Sequence, residues 1–350
     1  MAEANIQTLE GKCYCGAIHF TFDVPAEALP LDAHICHCSI CRYALGAPAS
    51  FHADFPEDLR PNWIAPSNSS NMKAYHPPGA SYTLNFCATC GCHVTAIGFD
   101  SGQWTAATGI FNKHGLDTFK LSEHVFSKSS RDEGLASLMK NIGSTECTSW
   151  NPPADSPSAK IVELPPEVGA DGKDRLRAQC HCGGVSFTIA RPTKEVLEHE
   201  DVKGRDKLVS PDKTKWYAEY DVCDDCRLVT GTPIIGWTFV PFAVLEPAIG
   251  PDLKHGTLQT YSSSSGILRA FCGNCSATVF FRHPNRRLGD MPVIDIATSI
   301  LRAREGTMAS NWLTWRPDLE FLADGMNYDP DMVQGIQDGL KTWVAKNQGE

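Results

Sequence analysis

The sequence has no apolar run approaching the roughly 20 residues that a membrane-spanning helix needs, so no helical span is expected. Its opening, MAEANIQTLE, lacks the basic and apolar regions of a secretory signal. No lysine or arginine block stands out, and the formal net charge is −10. A nucleic-acid binder would need a basic face to neutralise phosphates. The expectation is a cytoplasmic, or also nuclear, protein that engages neither membrane nor nucleic acid. An anionic small molecule stays open as a ligand, provided that a few local Arg or Lys residues line its pocket. Apolar content of 42% and charged content of 21% belong to a folded chain and exclude a disordered one. A length of 350 residues suffices for two domains, each with its own core.

What the chain has in abundance is cysteine, 15 in all. Where disulfides are rare, clustered cysteines point to metal, and an odd total fits a complete disulfide framework poorly. The spacing repeats. GKCYCG (Cys13, Cys15), CHCSIC (Cys36, Cys38, Cys41) and FCATCG (Cys87, Cys90) are followed by AQCHCG (Cys180, Cys182), DVCDDC (Cys223, Cys226) and FCGNCS (Cys272, Cys275). Cys38 to Cys87 and Cys223 to Cys272 are both 49 positions apart. CRYALGAP stands beside CRLVTGTP, and the second copy carries about 18 extra residues around KEVLEHEDVKGRDKLVSPDK. This is an internal repeat. Domains are placed at 1–150 and 176–327, joined by a Pro/Ser/Gly/Asp-rich linker over 151–175.

Within each copy the segments IHFTF, HVTAIGF, VSFTI, IIGWTFV and TVFF read as short strands. Helices are expected over Arg131–Asn141 and in a tail at 328–350. There Val333, Ile336, Leu340 and Trp343 recur at helical spacing behind Asp329-Pro330, while Gly335 and Gly339 count against it. The fold expected is mainly β, with few peripheral helices.

Cys13 and Cys15 lie two apart on a strand and share a face. With the Cys87–Cys90 turn they form a four-thiolate set of the structural zinc type, and Cys180, Cys182, Cys272 and Cys275 repeat it. Buried free cysteines or a redox pair are the alternative. The central motif is different: Cys36, Cys38 and Cys41 offer three thiolates and leave one zinc position open, as a catalytic site requires. The competing reading closes that position with Cys92, His37, His34 or His93. In the second copy Asp221 stands in the place of Cys36. Asp221, Cys223 and Cys226 then form either a Cys2Asp zinc site or one that has lost its metal. Cys147 has no partner at motif spacing.

These motifs resemble the glutathione-dependent formaldehyde-activating enzyme family, the CENP-V/GFA domain on the Mss4-like β-fold. The resemblance covers both copies and is most specific in the first. It implies structural zinc on the outer cysteines and a catalytic zinc on Cys36, Cys38 and Cys41, two structural ions and one or two central ones in total. Glutathione is implied as co-substrate. The family's later His motif falls at His124 and Lys128 in the first copy, and reads TWRPDLEF in the second. An Arg usual before F-C-x-x-C is Arg269 in the second copy and Leu84 in the first; Ser276 replaces a Gly.

Three functions compete. The first is a carbon–sulfur lyase acting on a thiol adduct of a carbonyl compound, with Arg42 beside the zinc loop either binding a carboxylate or forming a surface ion pair. The second is zinc-assisted conversion of a larger non-glutathione metabolite. The third is a non-catalytic zinc scaffold for a protein partner. The two copies are expected to pack as a pseudo-dimer within one chain, since linker runs such as KIVELPPEV prefer burial.

Overall fold

Strand His19–Pro25 shows how the chain folds locally. Phe20, Phe22 and Val24 are buried while the residues between them are not, the period-two pattern of a strand with one face on a core. It pairs antiparallel with Ile6–Lys12, in a register that sets Phe20 opposite Gly11. The computed structural model describes residues 5–156, 164–199 and 207–349. The protein is mainly β, with six α-helices among those residues, consistent with an Mss4-like fold.

Two large sheets dominate. The first runs, edge to edge, through Thr148–Trp150, Phe119–Val125, Leu31–Cys36, Ser50–Asp54, Trp104–Ala107, His93–Gly98, Tyr82–Cys87 and Met72–Tyr75. The second runs through Leu313–Trp315, Trp216–Asp221, Ile235–Pro241, Met291–Ala297, Thr278–Arg282, Ile267–Cys272 and Leu258–Ser264. From the second strand of the first sheet onward the two orders coincide strand for strand. They even share the parallel pairing of Phe119–Val125 with Leu31–Cys36 and of Leu313–Trp315 with Trp216–Asp221. In each half a seven-residue helix follows the strand that leads into the central motif: Ser39–Leu45 after Leu31–Cys36, and Asp224–Thr230 after Trp216–Asp221.

The halves bond to each other reciprocally. Tyr14 N–H donates to Leu228 O at 3.0 Å, and His181 N–H donates to Tyr43 O at 2.9 Å. Each donor lies between the two cysteines of a C-x-C pair, and each acceptor lies two residues after the last cysteine of a central motif. Gly46 and Gly231 end the two short helices with φ of 70° and 79°. A Cβ on Gly46 would stand 2.1 Å from Thr278 O, and one on Gly231 would stand 2.2 Å from His93 O. Glycine is required there twice over, by the left-handed backbone and by the other half's strand.

The tail forms a helix over Pro330–Gln348, capped by the Asp329 carboxylate, which accepts from Met332 N–H at 2.9 Å. Its glycines do not weaken it as the sequence suggested. They let it lie against the first half: a Cβ on Gly339 would meet Leu138 O at 1.7 Å, and one on Gly335 would meet Asn141 O at 2.3 Å. The helix expected over Arg131–Asn141 is shorter, Gly134–Leu138, and is what Gly339 packs against. Beside it His114 Nδ1 and Asp329 Oδ2 form a buried pair at 2.6 Å. Part of KIVELPPEV, residues 160–163, lies outside the described residues, and Val168 is 60% exposed. Described contacts that join the halves come from the helix ends, the tail and pairs such as Asp132–Thr307 and Tyr75–His181. Residues 200–206 of the charged insertion also lie outside the described residues.

Candidate metal centres and their cavities

The C-x-C and C-x-x-C segments meet, but each C-x-C lies in a turn just after its strand (Ile6–Lys12 or Asp174–Gln179) and not on the strand as expected, so the turn and not a shared strand face brings its two sulfurs together. In one set the Cys13–Cys15 and Cys15–Cys87 sulfurs are each 3.5 Å apart, with Cys90 in the same group. In the other, Cys180–Cys182 is 3.6 Å and Cys182–Cys272 is 3.5 Å, with Cys275. All 15 cysteines are free thiols. A disulfide would bring sulfurs to about 2.05 Å, whereas four sulfurs held tetrahedrally at about 2.3 Å from zinc lie roughly 3.8 Å apart. The donor sets fit zinc. Backbone N–H groups of Ile18 and Val185 donate to Cys13 and Cys180 at 3.3 Å, support that favours thiolate sulfur.

Cys36 ends its strand, Cys38 caps the following helix and accepts from Cys41 N–H at 3.4 Å, and Cys41 sits in the first turn. Their three sulfurs lie within 4.8 Å of one another. Hydrogen bonds from Cys36 and Cys41 hold the Cys38 thiol well below its ordinary value, while Cys36 and Cys41 are pushed up. Three adjacent sulfurs cannot all ionise without a cation, which is what this donor set calls for. No fourth ligand joins them among the described residues.

The residues proposed to close the site are engaged elsewhere. His37 Nε2 meets His124 Nδ1 at 2.9 Å, and His124 Nε2 donates to Met139 O at 2.7 Å. His124 Nδ1 must then accept, so His37 donates from Nε2 and keeps a bare Nδ1 that has no partner. Cys92 is fully buried, and its thiol donates to His93 O at 3.4 Å. His93 pairs with His52 through Nε2 at 2.8 Å. His34 lines the cavity but is outside the thiol group.

The cavity at the three thiols has a volume of about 710 Å3. His34, His52, Tyr82, Leu84 and Thr105 share its wall with the cysteines. Burial and the three cysteines push the Tyr82 hydroxyl up. Burial also keeps His34 and His52 below the ordinary imidazole range. Sequence reasoning singled out neither His52 nor Tyr82. Tyr82 is two residues from Leu84 and therefore on its face, a signal that was present. His52 reaches the cavity by standing opposite His34 in the register of Leu31–Cys36 with Ser50–Asp54, and nothing in the sequence announces that register.

His124 and Arg42 do not line this cavity. His124 is 2% exposed and fixes His37, which lies inside the motif. Arg42 is 3% exposed and donates to His37 O at 2.8 Å and Ser129 O at 3.1 Å, so its alternative as a surface ion pair is overturned.

In the second half Asp221, Cys223 and Cys226 come together equally closely. Asp221 Oδ1 accepts from Cys223 N–H at 2.7 Å, and Arg269 Nη1 lies 3.6 Å from the Cys226 sulfur. They open on a cavity of about 470 Å3. Cys147 is half-buried, with burial raising its thiol to about 11.

With this geometry in place, comparison with known families finds a match to the first half. Residues 8–129 match the family described as glutathione-dependent formaldehyde-activating enzyme. This segment is similar to that family. The match takes in Cys13, Cys15, the central cysteines, Cys87, Cys90 and His124, so the matched segment carries one four-thiol set and the three-thiol set. No match to the chain was found among curated proteins. No described helix is long and apolar enough to cross a membrane.

Proposed function

We propose that the first half is a zinc-dependent carbon–sulfur lyase that makes or breaks a thiol adduct of a small carbonyl compound, glutathione being the favoured thiol. The observation that carries this is three cysteine sulfurs that no fourth protein ligand joins among the described residues, set in the wall of a roughly 710 Å3 cavity inside the segment that matches this family. Zinc held by Cys36, Cys38 and Cys41 would act as a Lewis acid that keeps an incoming sulfur as thiolate at neutral pH. The chain's own residues do the rest. The cavity walls exclude water and hold sulfur and carbonyl carbon in contact. In breakdown the C–S electron pair returns to sulfur and the hydroxyl proton leaves as the carbonyl forms. His34 and His52 are the imidazoles on the wall available to take that proton.

We further infer that the second half is a degenerate copy of the same domain, spanning about 176–327, packed against the first as a pseudo-dimer. The shared strand order and the reciprocal Tyr14–Leu228 and His181–Tyr43 bonds support this reading. Asp221 is a harder ligand than a thiolate, so the second centre should hold zinc more weakly. Fifteen free thiols suit a reducing compartment such as the cytoplasm.

The test uses cobalt-substituted protein. Glutathione should perturb the visible spectrum of the wild type and of Cys223→Ser, but not of Cys38→Ser. Turnover of the formaldehyde adduct should fall about 100-fold or more in Cys38→Ser and stay within about twofold in Cys223→Ser. Equal losses from both folded variants would overturn the assignment.

A further inference from the structure

A smaller cavity, of about 250 Å3, adjoins the thiol cavity: Ser39 and Ser129 line both. Its walls come from both halves. The first contributes Arg42, Tyr43 and Arg131, and the second contributes His181 and Arg302. Among the described residues no carboxylate lines it. Arg42 is buried, and its donors go to main-chain carbonyls. Arg302 donates to Gln179 O at 3.2 Å and Cys180 O at 3.3 Å, and its guanidinium carbon lies 3.2 Å from the centre of the Tyr43 ring. Carbonyls satisfy hydrogen bonds but do not cancel charge. Among the described residues neither Arg42 nor Arg302 has an ion-paired carboxylate. Asp132 accepts from Thr307 Oγ1 at 3.0 Å and Met308 N–H at 2.7 Å and does not line the cavity.

The fold does not require this arrangement, because the other half treats the same position differently. Arg227, one residue after Cys226 as Arg42 is after Cys41, binds Asp224 Oδ1 through Nη2 at 2.7 Å and Nε at 3.1 Å. Tyr328 covers it, with the guanidinium carbon 3.9 Å from the ring centre. Ser39 stands where Asp224 would be. One side is neutralised and covered, and the other is left cationic beside the open thiol site.

We propose that this annex binds a carboxylate of the substrate whose sulfur is held at Cys36, Cys38 and Cys41, and that Arg302, supplied by the second half, selects anionic thiols over neutral ones. The thiol part rests on the function proposed above; the anion site does not. Guanidinium groups recognise carboxylates through charge-assisted, forked hydrogen bonds, and sites between domains commonly draw on both. The second half would thus complete the substrate site without performing the chemistry.

Two probes separate the two ideas. Glutarate, a dicarboxylate without a thiol, is titrated calorimetrically into the zinc-loaded full chain at fixed ionic strength. Glutathione and its diethyl ester are compared in the cobalt spectrum. Glutarate should bind the wild type about tenfold or more tightly than Arg302→Gln, and glutathione should out-bind its ester only when Arg302 is present. Ala303→Asp adds a negative charge to the wall while leaving the Arg302–carbonyl bonds intact; it should weaken glutarate equally, which guards against misfolding of the first variant. Absence of glutarate binding to the wild type, or equal binding to all three proteins, overturns the annex. Glutarate binding that needs Arg302, together with a cobalt spectrum indifferent to glutathione, leaves the annex standing and removes the lyase reading.

Discussion

The two cysteine-lined cavities occupy the same place in two sheets of the same order, yet their walls differ in kind. Around Cys36, Cys38 and Cys41 stand His34, His52, Leu84 and Thr105; around Asp221, Cys223 and Cys226 stand Glu219, Trp237, Arg269 and Asp295 at the matching positions. The register supports the match: His34 faces His52 across one strand pair, and Glu219 faces Trp237 across the other. In the second cavity the charges are spent on one another. Arg316 holds Glu219, Arg286 holds Asp295, and Arg269 lies against Cys226 and 3.9 Å from Asp225. In the first cavity no arginine among the described residues lines the wall with the sulfurs, and burial keeps the imidazoles neutral. A centre whose demand for a cation is met by arginine has less need of a metal, and one whose demand is unmet is suited to bind a metal and exchange a ligand on it.

The outer four-thiol sets show no such divergence, and this gives the largest expected effect. Cys87→Ser and Cys272→Ser each remove one ligand from a closed set whose metal binding energy is folding energy. Each should lower stability by several kcal/mol and release one zinc ion, checked by elemental analysis and denaturant unfolding. Because the sulfur spacings agree, the two losses should match within about 2 kcal/mol. A cost confined to one of them would break the equivalence of the outer sites.

Much of this was legible in the cysteine spacing. Short C-x-C and C-x-x-C turns limit where sulfurs can meet, so the metal groups followed from local spacing, and the mainly β character followed from segments such as IHFTF and VSFTI. What the sequence hid was set by pairing at long range. His52 became part of a cavity wall through strand register. His124 became a support for His37 because a parallel strand pair brings Val125 beside Cys36. Arg42 looked exposed because nothing local announced the His37 and Ser129 carbonyls that hold it. Gly335 and Gly339 read as helix weakeners because propensity is a local quantity, whereas their role depends on what lies across the interface.

Those glycines give the second prediction, whose sign distinguishes the two accounts. In an exposed helix Gly→Ala stabilises by up to about 1 kcal/mol. Gly339→Ala would instead place a methyl 1.7 Å from Leu138 O, a main-chain atom that cannot move without shifting the first half's helix. A loss of about 3 kcal/mol is expected, with a smaller one for Gly335→Ala. A rise in the melting temperature would show that the tail does not clamp the first half.

The smallest effect concerns protons, and here the halves should behave oppositely. In the first, burial holds His37, His52, His93 and His124 below the usual imidazole range, His93 down to about 3. Groups with a lowered folded pKa contribute stability that is present above the unfolded value near 6.5 and is lost as pH falls below it. In the second half Asp295 is raised to about 7, chiefly by burial and against the pull of Arg286. The native state then binds more protons than the unfolded chain between about pH 4 and 7, so this contribution is complete below about 4 and is lost as pH rises to 7. Thr105 holds the matching place in the first half and cannot titrate. Asp295→Asn cannot titrate either, so its stability relative to the wild type should improve by on the order of 2 kcal/mol between pH 4.5 and 7.5. Both proteins carry the same thiols, so the pH dependence of metal binding cancels in the difference. A difference that stays flat across that window would mean that the Arg286 pair holds Asp295 ionised throughout, and that the second cavity keeps its full set of charges at every pH where the protein is folded.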